Sequence, residues 1–271
     1  MCIRDSDLLI NNGRAEPLPG DQKDIPNNEL ALNRPTETKL VFEDEVLSKD
    51  IKEAVRGIQL GLPLTILGDP STGKTELAKE ISEQAFGKSK LTEVDCLHIN
   101  PEQFEKQMFG DHGKIGFFDQ EPRTAKEGKL FVARGGVVLF KNIHALDSNA
   151  QDIIAAAQQF EETQRDNNQV RSIKGWIFSG PIDWLDNNEF QISSRFANSI
   201  QGKKLNTPSL SQRSDFEKVA CAIASACSSE YTLSPVALRI LKSCNWTGNF
   251  SELKKVIRLA ISQSPGKVIR H

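Results

Sequence analysis

A phosphate-binding loop is the part of this sequence best suited to chemistry. Residues 68–75 read Gly-Asp-Pro-Ser-Thr-Gly-Lys-Thr, which fits the pattern G-x-x-x-x-G-K-[S/T]. The apolar run 62–67 precedes this loop and the helical pattern 76–81 follows it, so a buried strand leads into a glycine turn and a helix. In that context backbone N–H groups surround phosphate oxygens, and the helix N-terminus adds a favourable dipole. The alternative is a glycine turn that matches the pattern by chance.

The loop supplies the candidate cofactor-binding residues, and the predicted cofactor is ATP or ADP. Lys74 is placed to reach the β- and γ-phosphates, and the hydroxyl of Thr75 would ligate Mg²⁺ if the metal is bound. Asp69 and Pro70 lie in the loop without a role of their own. The candidate set is Gly68, Asp69, Pro70, Ser71, Thr72, Gly73, Lys74 and Thr75.

The composition is that of an ordinary soluble protein and excludes several classes. The 271 residues carry a formal net charge of −2, which gives no global attraction to nucleic acid or to an anionic membrane. No apolar stretch approaches the ~20 residues that span a bilayer. The five cysteines form no C-x-x-C pair, so we expect reduced thiols and a cytoplasmic location.

The pattern divides the chain into three parts. Residues 1–39 have the composition of a linker or a truncated upstream region, and residues 1–6 resemble a translated sequencing adapter. Strands alternate with helices over 40–206, which predicts an α/β core with a parallel sheet covered on both faces. Only helical patterns follow over 207–271, which predicts a small C-terminal helical lid.

Two of the predicted helices carry specific expectations about burial. In the helix predicted over 46–60 the inward residues would be Val46, Ile51, Val55 and Ile58, with Leu47 as a further candidate. In the second lid helix, which starts at Ser234 and Pro235, they would be Val236, Ile240, Leu241 and Cys244.

Several strings resemble the sigma-54 interaction domain of bacterial enhancer-binding transcriptional activators, a group of AAA+ ATPases. In chain order they are Met-Phe-Gly at 108–110, Gly-Lys-Leu at 128–130, Gly-Gly-Val-Val-Leu-Phe at 135–140, Gln151, Thr-Pro-Ser-Leu-Ser-Gln-Arg at 207–213 and Asn-Trp-Thr-Gly-Asn-Phe-Ser-Glu-Leu at 245–253. The resemblance covers about residues 40–271. It implies a P-loop AAA+ core, nucleotide binding, homo- or hetero-oligomers of AAA+ subunits and a role in transcription regulation.

The sequence departs from this family at the positions that perform hydrolysis. Where the family has Asp-Glu at the end of a strand, this chain has Lys141 and Asn142. A lysine cannot ligate Mg²⁺, and an asparagine cannot accept a proton from water. Gly180 and Pro181 replace the polar sensor on the next strand, and Ser251 replaces the sensor arginine of the lid.

The loop through which the family contacts sigma-54 is also changed. It aligns with residues 116–121, Gly-Phe-Phe-Asp-Gln-Glu, where Asp119 stands in place of the family's threonine. An apolar contact loop has become acidic, which argues against the sigma-54 contact. Contact with DNA would depend on a helix-turn-helix that this sequence does not contain.

We therefore expect a pseudo-ATPase that binds nucleotide without turnover, because metal ligand, water activator and sensors are lost together. Lys141 would either neutralise the phosphates where Mg²⁺ otherwise lies or remain a solvated lysine at a strand end. Arg195 falls near the family's arginine finger, which reaches a neighbouring subunit; the alternative is a surface arginine. Two other functions stay open: an interaction scaffold with a structural P-loop, or a working ATPase that uses other acids, such as Asp183 or Glu121.

Overall fold

A parallel sheet forms the centre of the protein. The computed structural model describes residues 42–88, 90–111, 127–166, 172–187, 189–264 and 266–269. The strands of the sheet are β1 (Leu64–Leu67), β2 (Leu91–Asp95), β3 (Val137–Lys141), β4 (Gly175–Gly180) and β5 (Lys203–Asn206). Among the described residues these five pair in the order β2-β3-β4-β1-β5, and every pair is parallel.

Helices connect these strands and continue beyond them. In the core they are α1 (Glu45–Gln59), α2 (Lys74–Phe86), α3 (Phe104–Phe109), α4 (Lys129–Ala133), α5 (Ser148–Asp166) and α6 (Ser194–Ser199). The C-terminal part has α7 (Phe216–Cys227), α8 (Pro235–Ser243) and α9 (Asn249–Gln263), with the short parallel strands β6 (Thr232–Leu233) and β7 (Val268–Ile269). Short 3₁₀ turns include Cys96–His98 and Ile143–Ala145.

The sheet is buried on both faces. Along β3, Val137 and Leu139 pack into the cluster formed with α1 and α2, whereas Val138 and Phe140 pack into the cluster on the opposite face. A strand covered on both sides needs apolar residues at every position, which explains its continuous apolar run. The predicted α/β class with a covered parallel sheet is confirmed.

One expectation about α1 was wrong. Val46 is 74% exposed, while the buried residues are Leu47, Ile51, Ala54 and Ile58. These four are spaced at i, i+4, i+7 and i+11, so they form a single stripe along the helix. Val46 lies one residue, or about 100°, away from that stripe and therefore points to solvent.

The last three helices enclose a cluster of their own. Its members come mainly from α7 and α9 and include Trp246, which precedes α9. The inward face predicted for α8 was wrong, because Val236 and Ile240 are 48% and 47% exposed. Ala237 is buried instead, and Leu241 packs against the cluster. The boundary between core and lid at residues 206 and 207 stays a prediction.

Two predicted segments lie outside the described residues. They are the upstream region 1–39 and the acidic loop 116–121, which contains Asp119 and Glu121. Within the part of the chain that the structure describes, no helix has the length and apolar character needed to cross a membrane.

Candidate nucleotide-binding site

The loop between β1 and α2 has the curved backbone that the glycine pattern predicts. Gly68 passes so close to Thr207 that a Cβ atom there would lie 1.9 Å from the Thr207 hydroxyl oxygen. Ser71 and Gly73 have φ values of 60° and 86°, in the left-handed region that turns the chain sharply. Gly73 precedes α2 and provides no side-chain cap, so the first N–H groups of the helix face the loop.

Lys74 folds back over this loop. Its ammonium donates to the carbonyl oxygens of Gly68 and Asp69, both at 2.7 Å. Burial lowers the pKa of Lys74, and the nearby Asp69 charge only partly opposes that shift. A partly desolvated cation beside a helix N-terminus is suited to an anionic ligand. Thr75 follows in the first turn of α2 and is half-buried.

Two threonine hydroxyls connect the loop to the segment after β5. The hydroxyl oxygens of Thr72 and Thr207 are 2.6 Å apart, and Thr72 also donates to the Asp69 carbonyl at 2.9 Å. The Thr207 hydroxyl oxygen also lies 3.1 Å from the carbonyl oxygen of Leu67, so Thr207 has two acceptors in reach, this carbonyl and the Thr72 hydroxyl. Sequence reasoning did not identify Thr207 as part of the site, because its contact depends on β5 lying beside β1.

The lid contacts the same loop through the start of α9. Asn249 Nδ2 donates to the Pro70 carbonyl at 3.1 Å, and the Phe250 N–H donates to the Ser71 carbonyl at 3.1 Å. Ser251, at the sensor-arginine position, has its hydroxyl 2.8 Å from the Ser71 hydroxyl. The lid therefore holds the loop through both backbone and side chains.

Lys141 faces two acids of the neighbouring strand. Its ammonium lies 3.2 Å from Glu93 Oε2 and 3.7 Å from Asp95 Oδ2. Lys79 on α2 lies 3.5 Å from Glu93 Oε1. By the alternation of the strand, Lys141 is on the face occupied by Leu139, which packs toward α2. Its charge is thus partly compensated by β2.

Asn142 also contacts β2. Its Nδ2 donates to Asp95 Oδ1 at 2.9 Å, and its φ of 55° is left-handed. Burial opposes ionisation of Asp95, but the hydrogen bonds from Asn142 and from the Leu97 N–H, with the Lys141 charge, lower its pKa overall. Asp95 therefore remains a carboxylate that holds both residues at the end of β3.

At the end of β4, the residues at the sensor positions are Gly180 and Pro181, and neither has a polar side chain. The carbonyl oxygen of Gly180 accepts from the Gly68 N–H at 3.3 Å, and Pro181 has no N–H to donate. Asp183 lies in the exposed turn that follows and accepts from Asn187 Nδ2 at 3.1 Å.

Arg195, the candidate arginine finger, and Arg213, at the end of the string 207–213, have different surroundings. Arg195 is exposed on α6, with Nη2 3.4 Å from Gln159 Oε1. Arg213 is buried and pairs with Asp215, Nη2 to Oδ2 at 2.6 Å, while its guanidinium lies over the rings of Phe42 and Phe250. Of the predicted site residues, the structure brings the loop 68–75 together with Gly180 and Ser251.

Residues 40–172 match the model of the Sigma-54 interaction domain. The resemblance of this part of the chain to the sigma-54 interaction domain is thereby confirmed. The match covers the phosphate-binding loop, β2 and β3, so the positions of Lys141 and Asn142 lie inside the matched region.

Curated regulatory proteins are similar to the chain over most of its length. The transcriptional regulatory protein ZraR of Salmonella typhi is 26% identical over 216 residues, which cover 75% of this chain and 48% of ZraR. The acetoin catabolism regulatory protein of Cupriavidus necator is 25% identical over 226 residues, 80% of this chain and 33% of the relative. The Nif-specific regulatory protein of Sinorhizobium fredii is 24% identical, over 94% of this chain and 44% of the relative. The chain spans about half the length of these proteins or less.

Solved structures support the fold. NtrX from Brucella abortus in complex with ATP aligns with a TM-score of 0.64 at 17% identity, covering 88% of this chain and 56% of NtrX. RuvB from Thermotoga maritima aligns with a TM-score of 0.53 at 14% identity, covering 85% of this chain and 67% of RuvB. The predicted P-loop AAA+ fold is thereby confirmed.

Proposed function

We propose that the chain is the nucleotide-binding AAA+ module of a transcription regulator, with a core at 40–206 and a lid at 207–271, and that it binds ATP or ADP without hydrolysing it. The observation that carries this proposal is the contrast between the two halves of the site. The loop around Lys74 keeps its backbone geometry, whereas Lys141 and Asn142 both contact Asp95. Nucleotide binding and hydrolysis therefore depend on different residues in this chain, so one can be kept while the other is lost.

Nucleotide binding is supported by the loop itself. The loop turns through the left-handed residues Ser71 and Gly73, Lys74 is positioned over it, and α2 begins directly behind it. These are the features by which such loops bind phosphate oxygens. NtrX, which has the same fold, has been solved with ATP and with ADP, and this is the cofactor class we assign.

Loss of hydrolysis is supported by the side chains at the strand ends. The amide of Asn142 donates to Asp95 and has no basic group that could activate water. Gly180 and Pro181 give no side-chain donor for a developing charge. Removal of one such donor typically costs a factor of about 10²–10³ in rate, so the combined losses leave turnover near background.

The donor set does not fit a firmly held Mg²⁺. Such a metal usually binds one or two carboxylates in addition to phosphate oxygens and water. Glu93 and Asp95 are the acids beside Lys141, and both are engaged by its ammonium. No group of three or more His, Cys, Asp or Glu residues suited to a metal occurs among the described residues. Of the residues that would ligate Mg²⁺ in the family, the loop retains Thr75.

The ion pairs also bear on the role of Lys141. Its ammonium is directed to Glu93 and Asp95, which favours a structural ion pair at the strand end over a replacement for Mg²⁺. The two cases differ in the effect of Lys141→Met on nucleotide affinity measured in EDTA. If Lys141 is structural, the variant binds nucleotide as tightly as the unmodified chain. If Lys141 neutralises the phosphates, the variant binds more weakly.

The proposed role follows from the names of the relatives, since ZraR is named a transcriptional regulatory protein and the Cupriavidus necator relative an acetoin catabolism regulatory protein. We assign the chain to transcription regulation in the cytoplasm, in assemblies of AAA+ subunits. Arg195 is exposed on α6 and available to a neighbouring subunit, as an arginine finger requires. A direct contact with sigma-54 is not part of the proposal.

The test is to measure binding of a fluorescent ATP analogue and phosphate release in the same samples of the full chain. Lys74→Ala removes the loop ammonium, and Lys52→Ala, an exposed lysine on α1, is the matched control. Tight binding that is lost only in Lys74→Ala, with no phosphate release, is the expected result. Absence of binding would leave the interaction scaffold, and release above the Lys74→Ala level would establish a working ATPase.

A complementary variant restores the family residues. Lys141→Asp combined with Asn142→Glu returns the acid pair but leaves Gly180 and Pro181 in place. We expect binding to persist and hydrolysis to stay at background, because the sensors are still missing. Hydrolysis by this double variant alone would assign the defect entirely to the end of β3.

A further inference from the structure

His144 occupies a position at the phosphate edge of the sheet. It lies on the 3₁₀ turn Ile143–Ala145, directly after β3. β3 pairs with β4, and β4 ends at Gly180 opposite Leu67, where the phosphate-binding loop begins. Ligands of open α/β sheets bind at the carboxyl ends of the strands, so His144 is on the binding side.

The surroundings of the imidazole fix its orientation. The ring packs edge-on against Phe190, with centroids 5.5 Å apart and planes at 74°. Its Nδ1 is fully buried and has no hydrogen-bond partner among the described residues, although the residue as a whole is only half-buried. Buried N–H groups without an acceptor are rarer than under-used acceptors, which places the proton on Nε2.

Two charged groups act on this ring, Lys74 of the phosphate-binding loop and Asp183 of the turn after β4. Burial and the Lys74 charge hold the pKa of His144 below its usual range, and Asp183 opposes them. At neutral pH the imidazole is therefore uncharged and has one N–H to donate. A neutral donor at this edge of the sheet, within the electrostatic influence of Lys74, adds a hydrogen bond for a phosphate without a second positive charge.

Resting on the nucleotide binding proposed above, we propose that His144 donates a hydrogen bond from Nε2 to the terminal phosphate of a nucleoside triphosphate. It thereby takes over, from the strand next to β4, the recognition that Gly180 and Pro181 cannot provide. The consequence is selection of triphosphate over diphosphate by a residue outside the phosphate-binding loop.

The test compares the affinities of the full chain for a non-hydrolysable ATP analogue and for ADP. A hydrogen bond to a charged group corresponds to about 10- to 100-fold in affinity. His144→Ala should therefore lower the affinity for the triphosphate analogue by that factor and leave the affinity for ADP unchanged. His144→Gln keeps the preference because its amide nitrogen reaches about the position of Nε2. His144→Asn, whose amide nitrogen lies near the position of Nδ1, loses it.

The control is His98→Ala. His98 is exposed on the 3₁₀ turn Cys96–His98, which contacts the turn of His144. An equal loss of both nucleotides in His144→Ala, no loss of either, or rescue by Asn instead of Gln would overturn the proposal for His144. Failure of the unmodified chain to bind either nucleotide would instead overturn the proposed function. Circular dichroism of each variant confirms that it is folded.

Discussion

The ammonium of Lys141 lies 3.2 Å from Glu93 Oε2, across the parallel pair of strands β2 and β3. Both side chains are partly buried, at 25% and 33% exposure, so solvent screens the pair only in part. The resemblance to the sigma-54 interaction domain implies an aspartate at this position. The lysine carries the opposite charge at the end of β3, next to two acids of β2.

The first prediction concerns the cost of reversing that charge again. Lys141→Asp places a third carboxylate beside Glu93 and Asp95, whereas Lys141→Met removes the ion pair alone. Cross-strand pairs contribute about 0.2–1 kcal/mol, and like charges are destabilising, so the aspartate variant should lose more free energy of unfolding than the methionine variant. Urea denaturation measures both. The difference should shrink in 1 M salt, and equal stability of the two variants would contradict the like-charge argument.

The second prediction concerns the lid contact of Asn249. This residue is buried, accepts from the Leu210 N–H at 2.8 Å, donates to the Pro70 carbonyl and has a φ of 48°. Asn249→Gly leaves a buried N–H without its acceptor, which costs about 1–3 kcal/mol. Asn249→Ala adds the strain of a left-handed backbone, about 1–2 kcal/mol more.

Urea denaturation should therefore rank the unmodified chain above the glycine variant and the glycine variant above the alanine variant. Ser251→Ala, which removes only the exposed contact with Ser71, serves as the control and should change stability by no more than about 0.5 kcal/mol. An alanine variant as stable as the glycine variant would show that the backbone strain is relieved elsewhere.

The core of the fold was predictable because its signals are local. The phosphate-binding loop is a contiguous string, and β3 and β4 are apolar runs bounded by glycine. β5 was not predicted, since Lys203–Asn206 contains two lysines and only Leu205 is buried. It is a strand because it pairs with β1 in register, and Lys203 is compensated by Asp50 and Glu53 of α1 at 3.0 Å and 2.6 Å.

The surroundings of the site were less predictable, since they depend on contacts between distant segments. The sequence identified Lys141 and Asn142 as departures from the family, but their common partner Asp95 is 46 and 47 residues earlier and is defined by strand register. In the same way, the contacts of Thr207 and Asn249 with the loop require the assembled lid.

The third prediction is a pH dependence at the start of α1. Asp44 accepts from the Ser214 hydroxyl at 2.6 Å and N–H at 3.0 Å, and caps the helix at the Leu47 N–H. The Ser214 hydroxyl hydrogen bond is the main cause that lowers the pKa of Asp44 below its ordinary value of 3.8, against the opposing effect of burial. At pH values between the lowered pKa of the folded state and the ordinary pKa, the carboxylate is therefore mostly ionised in the folded chain and mostly protonated in the unfolded chain.

The stability from this shift is present above the ordinary pKa and is lost as the pH falls through it toward the lowered folded value. In the variant Asp44→Asn the side chain is an amide, which does not titrate in this pH range. The stability difference between the unmodified chain and this variant should therefore be larger at neutral pH than at about pH 3, as measured by urea denaturation. A difference independent of pH would mean that the carboxylate charge is not what stabilises the junction.

The fourth prediction concerns thiol reactivity at the end of β2. Burial and the Asp95 charge raise the pKa of Cys96 to about 12, so almost no thiolate forms near pH 8. Iodoacetamide should leave Cys96 unmodified in the folded chain and modify the exposed Cys244. Peptide mass spectrometry distinguishes the sites, and treatment in urea should label both. Rapid labelling of folded Cys96 would show that the end of β2 opens.

The fifth prediction concerns a buried ion pair that connects α5 to the sheet. Glu161 is fully buried; its Oε1 accepts from Arg134 Nε and its Oε2 from the Ile173 N–H, both at 2.8 Å. Glu161→Ala leaves the Arg134 guanidinium, which is only 10% exposed, without its carboxylate, and such a loss typically lowers the free energy of unfolding by about 3–5 kcal/mol.

Replacement of both charges by apolar residues of similar size avoids that penalty. Arg134→Met with Glu161→Leu should therefore unfold at a higher urea concentration than Glu161→Ala alone. If the double variant is no more stable than the single one, the main contribution of Glu161 is its bond to the Ile173 N–H rather than the pairing of charges.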